Sequence, residues 1–130
     1  MCNSNKDKEI KEYIKELTAK GRKATTRMQA INKMWLAGKK FIPYLTKEIT
    51  NKDWSIRWFA MTGLVWFGKD AVPELIKMLK HKNWRMRGGA TEVLSIINDK
   101  KAVPAIKKLL KDKNEKVRNY AKMSLDRLKK

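Results

Sequence analysis

Trp54, Trp58, Thr62 and Trp66 lie at successive i, i+4 positions, so on a helix three indole rings share one stripe. Such rings offer large apolar contact area at small entropic cost, and flat platforms on which unpaired bases stack. Their surroundings are strongly positive: 130 residues carry 32 Lys plus Arg against 13 Asp plus Glu, a net charge of +19. Residues 1–20 hold five Lys against four acids, whereas residues 21–130 hold 27 basic against nine acidic side chains. A field of that sign attracts phosphate backbones, and counterion release makes the binding salt-sensitive and largely sequence-independent. Trp84, Arg85, Glu92, Met123 and Arg127 extend the stripe into later segments, and Lys69, Lys82 and Lys113 fall in or beside turns. These are the candidate ligand contacts.

Catalysis finds little support in the residue types. His81 is the single histidine and sits in a Lys-rich turn. Cys2 is the single cysteine, which excludes an internal disulfide, and no metal-ligand cluster or phosphate-cradling glycine loop is present. Gly88-Gly89 falls inside a helical pattern and instead makes room beside the stripe. The expectation is a non-enzymatic binding protein with no cofactor and no metal.

Internal repetition identifies the elements that position these residues. Arg27, Arg57, Arg87 and Arg118 are spaced by 30, 30 and 31 residues, each followed three positions later by Ala30, Ala60, Ala90 or Ala121. Pro43, Pro73 and Pro104 recur in the same phase. One segment of each repeat, the A helix, has a buried face exemplified by Ile56, Ala60, Gly63, Leu64 and Phe67. Asp53, Asn83 and Asn114 precede A helices as caps, and Gly38, Gly68 and Asn98 follow them as left-handed stops. The B helix carries the proline in its first turn and an apolar stripe such as Val72, Leu75, Ile76 and Leu79. Ile10, Tyr13, Ile14 and Leu17 repeat that stripe 62 residues earlier, so residues 7–20 read as an isolated B helix. The order is B, AB, AB, AB, A.

Neither helix of a pair can bury its face alone, so the fold class is all-α: a short right-handed solenoid of about three and a half hairpin repeats, in seven helices. It forms one domain over 1–130, with a half-repeat at 7–20, repeats at 21–50, 51–80 and 81–111, and a half-repeat at 112–130. The arginine column lies next to the core stripe and in phase with the caps. It is expected to make repeated structural contacts to loop carbonyls or carboxylates rather than a phosphate-binding row.

"AVPELIKML" from Ala71 and "AVPAIKKLL" from Ala102, with "DKNEKVRNYAKMSL" from Asp112, resemble the short HEAT-like repeats of phycobilin-lyase-type proteins. The first repeat departs from the pattern in having Lys23 where the cap belongs. The resemblance implies that the A helices line a concave side used for binding. It also sets out what an enzyme of this kind would need: HEAT-repeat iron hydroxylases use repeated His-Glu pairs, which this chain lacks. HEAT-like alkylpurine DNA glycosylases place an acid one turn after a tryptophan, where this chain has Trp58 and Gly88.

The leading expectation is therefore a nucleic-acid (DNA or RNA) binder, with Lys and Arg ridges on the backbone and the tryptophans on bases or sugars. The alternative is a protein-interaction scaffold whose Trp/Met surface captures an acidic protein; a glycosylase-like activity is the remote one. The longest charge-free stretch, Trp58 to Gly68, has 11 residues, too short to span a bilayer, and the first twenty residues lack an apolar signal core. Membrane insertion is not expected and a cytoplasmic location is. The last A helix leaves a face that a second copy would cover, giving a homodimer.

Overall fold

The computed structural model describes residues 3–129; Cys2 lies outside them. Eight α-helices occur among the described residues: α1 (Asn3–Thr18), α2 (Ala24–Ala37), α3 (Ile42–Lys47), α4 (Trp54–Phe67), α5 (Val72–Met78), α6 (Trp84–Ile97), α7 (Val103–Lys108) and α8 (Glu115–Lys129). The architecture is the expected all-α hairpin stack, with one helix more than the seven anticipated: four B (α1, α3, α5, α7) and four A (α2, α4, α6, α8). Each B helix packs on the A helix that follows it. Along the stack α2 packs on α4, α4 on α6 and α6 on α8, while the B layer is joined through α3 and α5.

The B helices α3, α5 and α7 are only six or seven residues long, lengthened by 3₁₀ turns at Lys39–Phe41, Glu48–Thr50, Gly68–Ala71, Lys100–Ala102 and Leu109–Lys111. Helices so short do not persist in water, and packing must hold them. Leu45, Leu75 and Ile106, one from each, are fully buried beside Leu64, Leu94 and Val117 of the A layer. Pro43, Pro73 and Pro104 sit in the first turn of each, where the missing N–H costs no hydrogen bond. Asp53 and Asn83 accept from the backbone N–H of Ser55 and Arg85 at 2.9 Å, and Asn114 from that of Lys116 at 2.8 Å. Lys23 heads α2 with no side-chain cap. Gly38, Gly68 and Asn98 end their A helices with φ of 116°, 59° and 62°, the left-handed side that stops a helix.

Gly88 and Gly89 serve packing. A Cβ on Gly88 would stand 2.9 Å from the Tyr120 ring, and one on Gly89 would overlap Ile49, so these glycines let α6 close on α8 and on the Glu48–Thr50 turn. The room they make is filled by protein.

The arginine column makes the structural contacts expected of it. Each of three arginines donates Nη1 to the carbonyl six residues back: Arg57 to Asn51 at 2.7 Å, Arg87 to His81 at 2.9 Å and Arg118 to Asp112 at 2.7 Å. Arg57 and Arg87 reach the next carbonyl too, Lys52 at 3.1 Å and Lys82 at 3.0 Å. Arginines also cross to the following unit. Arg87 grips the Asp112 carboxylate through Nε at 2.9 Å and Nη2 at 3.0 Å; Arg27 bonds Ser55 Oγ at 2.6 Å and stands 3.8 Å from Asp53.

Burial alone would raise the Asp112 pKa, but the Arg87 hydrogen bonds, the Asn114 N–H and the charges of Arg87 and Lys113 outweigh it and hold the carboxyl below its ordinary 3.8. The stability supplied by this depressed carboxyl is present above the unfolded-state value and is lost as pH falls through the folded-state one. Asp112→Asn is expected to cost about 3 kcal/mol at pH 7, because it leaves the nearly buried Arg87 charge without its counterion. Urea unfolding should show that difference narrowing in strong acid, where the wild-type carboxyl is protonated too.

Candidate binding surface

The outward stripe of α4 is exposed: Trp54, Trp58 and Trp66 keep 70%, 55% and 42% of their surface in contact with solvent. Trp58 is braced edge-on by the buried Phe59, ring centroids 5.0 Å apart, and Thr62, one turn further on, donates its hydroxyl to the Trp58 carbonyl at 2.8 Å. The stripe cannot turn inward, because Ile56, Ala60, Gly63 and Leu64 on the opposite side of α4 fill the core.

Two clefts open where α4 and α6 meet. The first, about 480 Å³, is lined by Trp54, Trp58, Trp66, Met61, Glu92 and Ile96, with Arg57 at its edge. The second, about 430 Å³, shares Arg57, Met61 and Glu92 and adds Lys52, Trp84, Arg85 and Tyr120. Together they form a surface that is aromatic on α4 and cationic toward the turns that lead into α4 and α6. Trp84 is half-buried, with the Arg85 guanidinium 5.3 Å and the Lys116 ammonium 5.2 Å from its ring centre, so cations of this chain already use its ring face. Glu92 is the one carboxylate in either cleft, and no Lys, Arg or His lies within ion-pair distance of it among the described residues.

Of the residues singled out from sequence, Trp54, Trp58, Thr62, Trp66, Trp84, Arg85 and Glu92 therefore converge. Met123 is exposed on α8 away from both clefts. Arg127 reaches back from α8 to Ser95 Oγ at 3.1 Å, outside them as well. Lys82 and Lys113 are exposed in turns at the B-to-A edge, the edge that also carries Lys52. Lys69 is in a turn at the opposite, A-to-B edge, so the three lysines do not form one patch.

Sequence reasoning passed over two residues. Trp35 is 47% exposed on α2, next to Leu36 at 70%; it occupies the place that Val65, a wall of the first cleft, holds thirty residues on. Aligning the repeats column by column would have found it. Arg57, counted with the structural arginines, is structural and also lines both clefts. A cleft of about 660 Å³ between α7 and α8 is lined by Val103, Leu110, Leu125, Leu128, three lysines and Asp126, with no aromatic ring among them.

The sequence model of the HEAT repeats matches residues 42–126. No curated protein matches the sequence. Among solved structures, human deoxyhypusine hydroxylase in complex with glycerol superposes with a TM-score of 0.61 at 20% identity. The match covers 92% of this chain and 43% of that one, so the chain spans less than half the length of the hydroxylase. An engineered protein matches with a TM-score of 0.48 at 18% identity, over 92% of this chain and 62% of that one. At 20% identity the likeness to the hydroxylase is one of fold.

If the tryptophans lie outside the core, Trp54→Ala and Trp66→Ala are expected to change the unfolding free energy by less than about 1 kcal/mol, against about 2–5 kcal/mol for Leu64→Ala on the buried side of the same helix. Thermal or urea unfolding followed by circular dichroism checks this.

Proposed function

The chain belongs to the HEAT repeats, and from that premise we propose that it is a binding module that holds nucleic acid on the A-helix layer, with no chemistry of its own. One observation carries the reading: three exposed tryptophans and a half-buried fourth border clefts whose other walls include Arg57, Lys52 and Arg85. Stacked rings beside fixed cations match an unpaired strand, whose bases present flat faces and whose backbone presents charge at every step. The net charge of +19 supplies the long-range attraction. Glu92 is the one acid among the residues that line the two clefts.

A second reading is favoured by the apolar side chains that continue the stripe. Leu36, Ile96 and Met123 are exposed along with Trp35, and exposed apolar area of this kind marks protein contact surfaces. On that reading the lysine-rich edges select an acidic partner. Among the described residues no helix is long and apolar enough to cross a membrane.

The two readings part on single substitutions. For nucleic acid, Arg85→Glu should weaken binding of a labelled oligonucleotide whatever its sequence and flatten the dependence of log K on log salt by about one phosphate contact, while Trp58→Ala should weaken single strands more than duplex. Fluorescence anisotropy across a salt series reads both. Equal, weak binding by wild type and variants that vanishes at near-physiological salt would contradict the proposal.

A further inference from the structure

The arginine ladder is incomplete at the middle of the stack. At the first A-layer seam, Arg27 of α2 finds Ser55 and Asp53 across from it. At the third, Arg87 of α6 finds the Asp112 carboxylate and takes it with two parallel bonds. At the second, between α4 and α6, Arg57 has its two carbonyl bonds and no partner across the seam among the described residues.

The cause lies in the turn before α6. Six residues ahead of their own arginines stand Asn51, His81 and Asp112, and each bonds the backbone N–H two residues on: Asn51 Oδ1 to Asp53 at 2.8 Å, His81 Nδ1 to Asn83 at 3.0 Å, Asp112 Oδ1 to Asn114 at 2.9 Å. They are equivalent by position and by turn geometry. Where the third seam has the Asp112 carboxylate, the second has the imidazole of His81, whose acceptor nitrogen is already used. Where the first seam has Asp53 heading α4, the second has Asn83 heading α6. Both acids that an arginine would meet are replaced by side chains without a carboxylate.

The guanidinium left over is the one that lines both tryptophan clefts. Its Nη1 is fixed by two carbonyls, so Nε and Nη2 are held in place, the same edge with which Arg87 grips Asp112. A planar fork already ordered binds a two-oxygen anion with less entropy loss than a lysine would. Lys52 and Arg85 add positive charge in the same cleft, and Glu92 alone opposes them.

Resting on the nucleic-acid reading above, we propose that Arg57 is a phosphate-binding rung: a backbone phosphate of a single strand takes the place on Arg57 that the Asp112 carboxylate takes on Arg87. The neighbouring nucleotides then lie against Trp54 and Trp58, while Arg85 and Lys116, held over the Trp84 ring, add positive charge on the other side. Arg118 offers no second such rung, since it lines neither cleft and no unit follows it among the described residues.

The test is to supply the missing carboxylate from within. His81→Asp preserves the turn, as Asp112 does in its own unit, and brings an intramolecular partner to Arg57; Lys108→Gln removes one charge from the exposed side of α7 as a control. Binding of a fluorescein-labelled single-stranded thymidine oligonucleotide is measured by anisotropy over a salt series. His81→Asp is expected to melt at or above the wild-type temperature, to lose affinity about tenfold, and to lower the salt slope by about one contact, with Lys108→Gln changing affinity less than about twofold. Arg57→Lys, which keeps the charge and loses the fork, is expected to lose affinity to a similar degree, and its circular dichroism shows whether it is folded. A wild type that binds the oligonucleotide while folded His81→Asp or Arg57→Lys binds as tightly overturns this site and leaves the nucleic-acid reading standing. A wild type that does not bind the oligonucleotide overturns both. Capture of a glutamate-rich peptide in preference to the oligonucleotide, abolished by His81→Asp, also overturns the proposal, because the rung then takes a carboxylate.

Discussion

Three of the four B helices have only six or seven residues, and a helix of that length is unstable until something covers its apolar side. That constraint shapes the rest of the molecule. Each B helix must lie on an A helix of at least 14 residues, and each pair must lie on the next, so the turns between helices have to repeat closely from unit to unit. The prolines, the capping Asp53, Asn83 and Asn114, and the stops at Gly38, Gly68 and Asn98 fix where each helix begins and ends. The arginines then fasten turn to helix through carbonyls that would otherwise have no partner in the turn.

A stack secured in this way leaves one face of every A helix without a structural task. On α4 that face carries three tryptophans, and the core behind it is complete without them. The clefts between α4 and α6 lie at the seam whose turn brings His81 and Asn83 instead of acids. Departures from a repeating plan concentrate where a surface serves something other than the fold. An aromatic wall, a pre-ordered guanidinium and a surplus of positive charge meet at that departure.

Much of the fold was legible because its signals are short-range. Proline, cap and stop residues act within one turn, and the thirty-residue spacing of Arg, Ala and Pro reports the repeat without knowledge of distant contacts. The helix count fell one short because the order B, AB, AB, AB, A contains four of each kind. The candidate surface was half legible. Helical spacing places Trp54, Trp58 and Trp66 on one side of α4, but whether Lys69, Lys82 and Lys113 share an edge depends on how the turns alternate along the stack. Arg57 shows the limit most clearly. Its column is indistinguishable from that of Arg87 by spacing, and the difference comes from which residues hold the equivalent positions of the next turn, His81 and Asn83 in one case and Asp112, bonded to Arg87, in the other. The roles of Gly88 and Gly89 likewise depend on Tyr120 and Ile49, both distant in sequence.

The proposed function requires that the α4 tryptophans meet an unpaired strand. Tryptophan emission during titration with single-stranded and duplex oligonucleotides, at low and near-physiological salt, observes those rings directly. Saturable quenching by the single strand that persists at the higher salt, and exceeds that by duplex, is the predicted result. Binding that leaves the emission unchanged and disappears with salt would contradict it, because the charge would then attract nucleic acid without bringing it to the tryptophans.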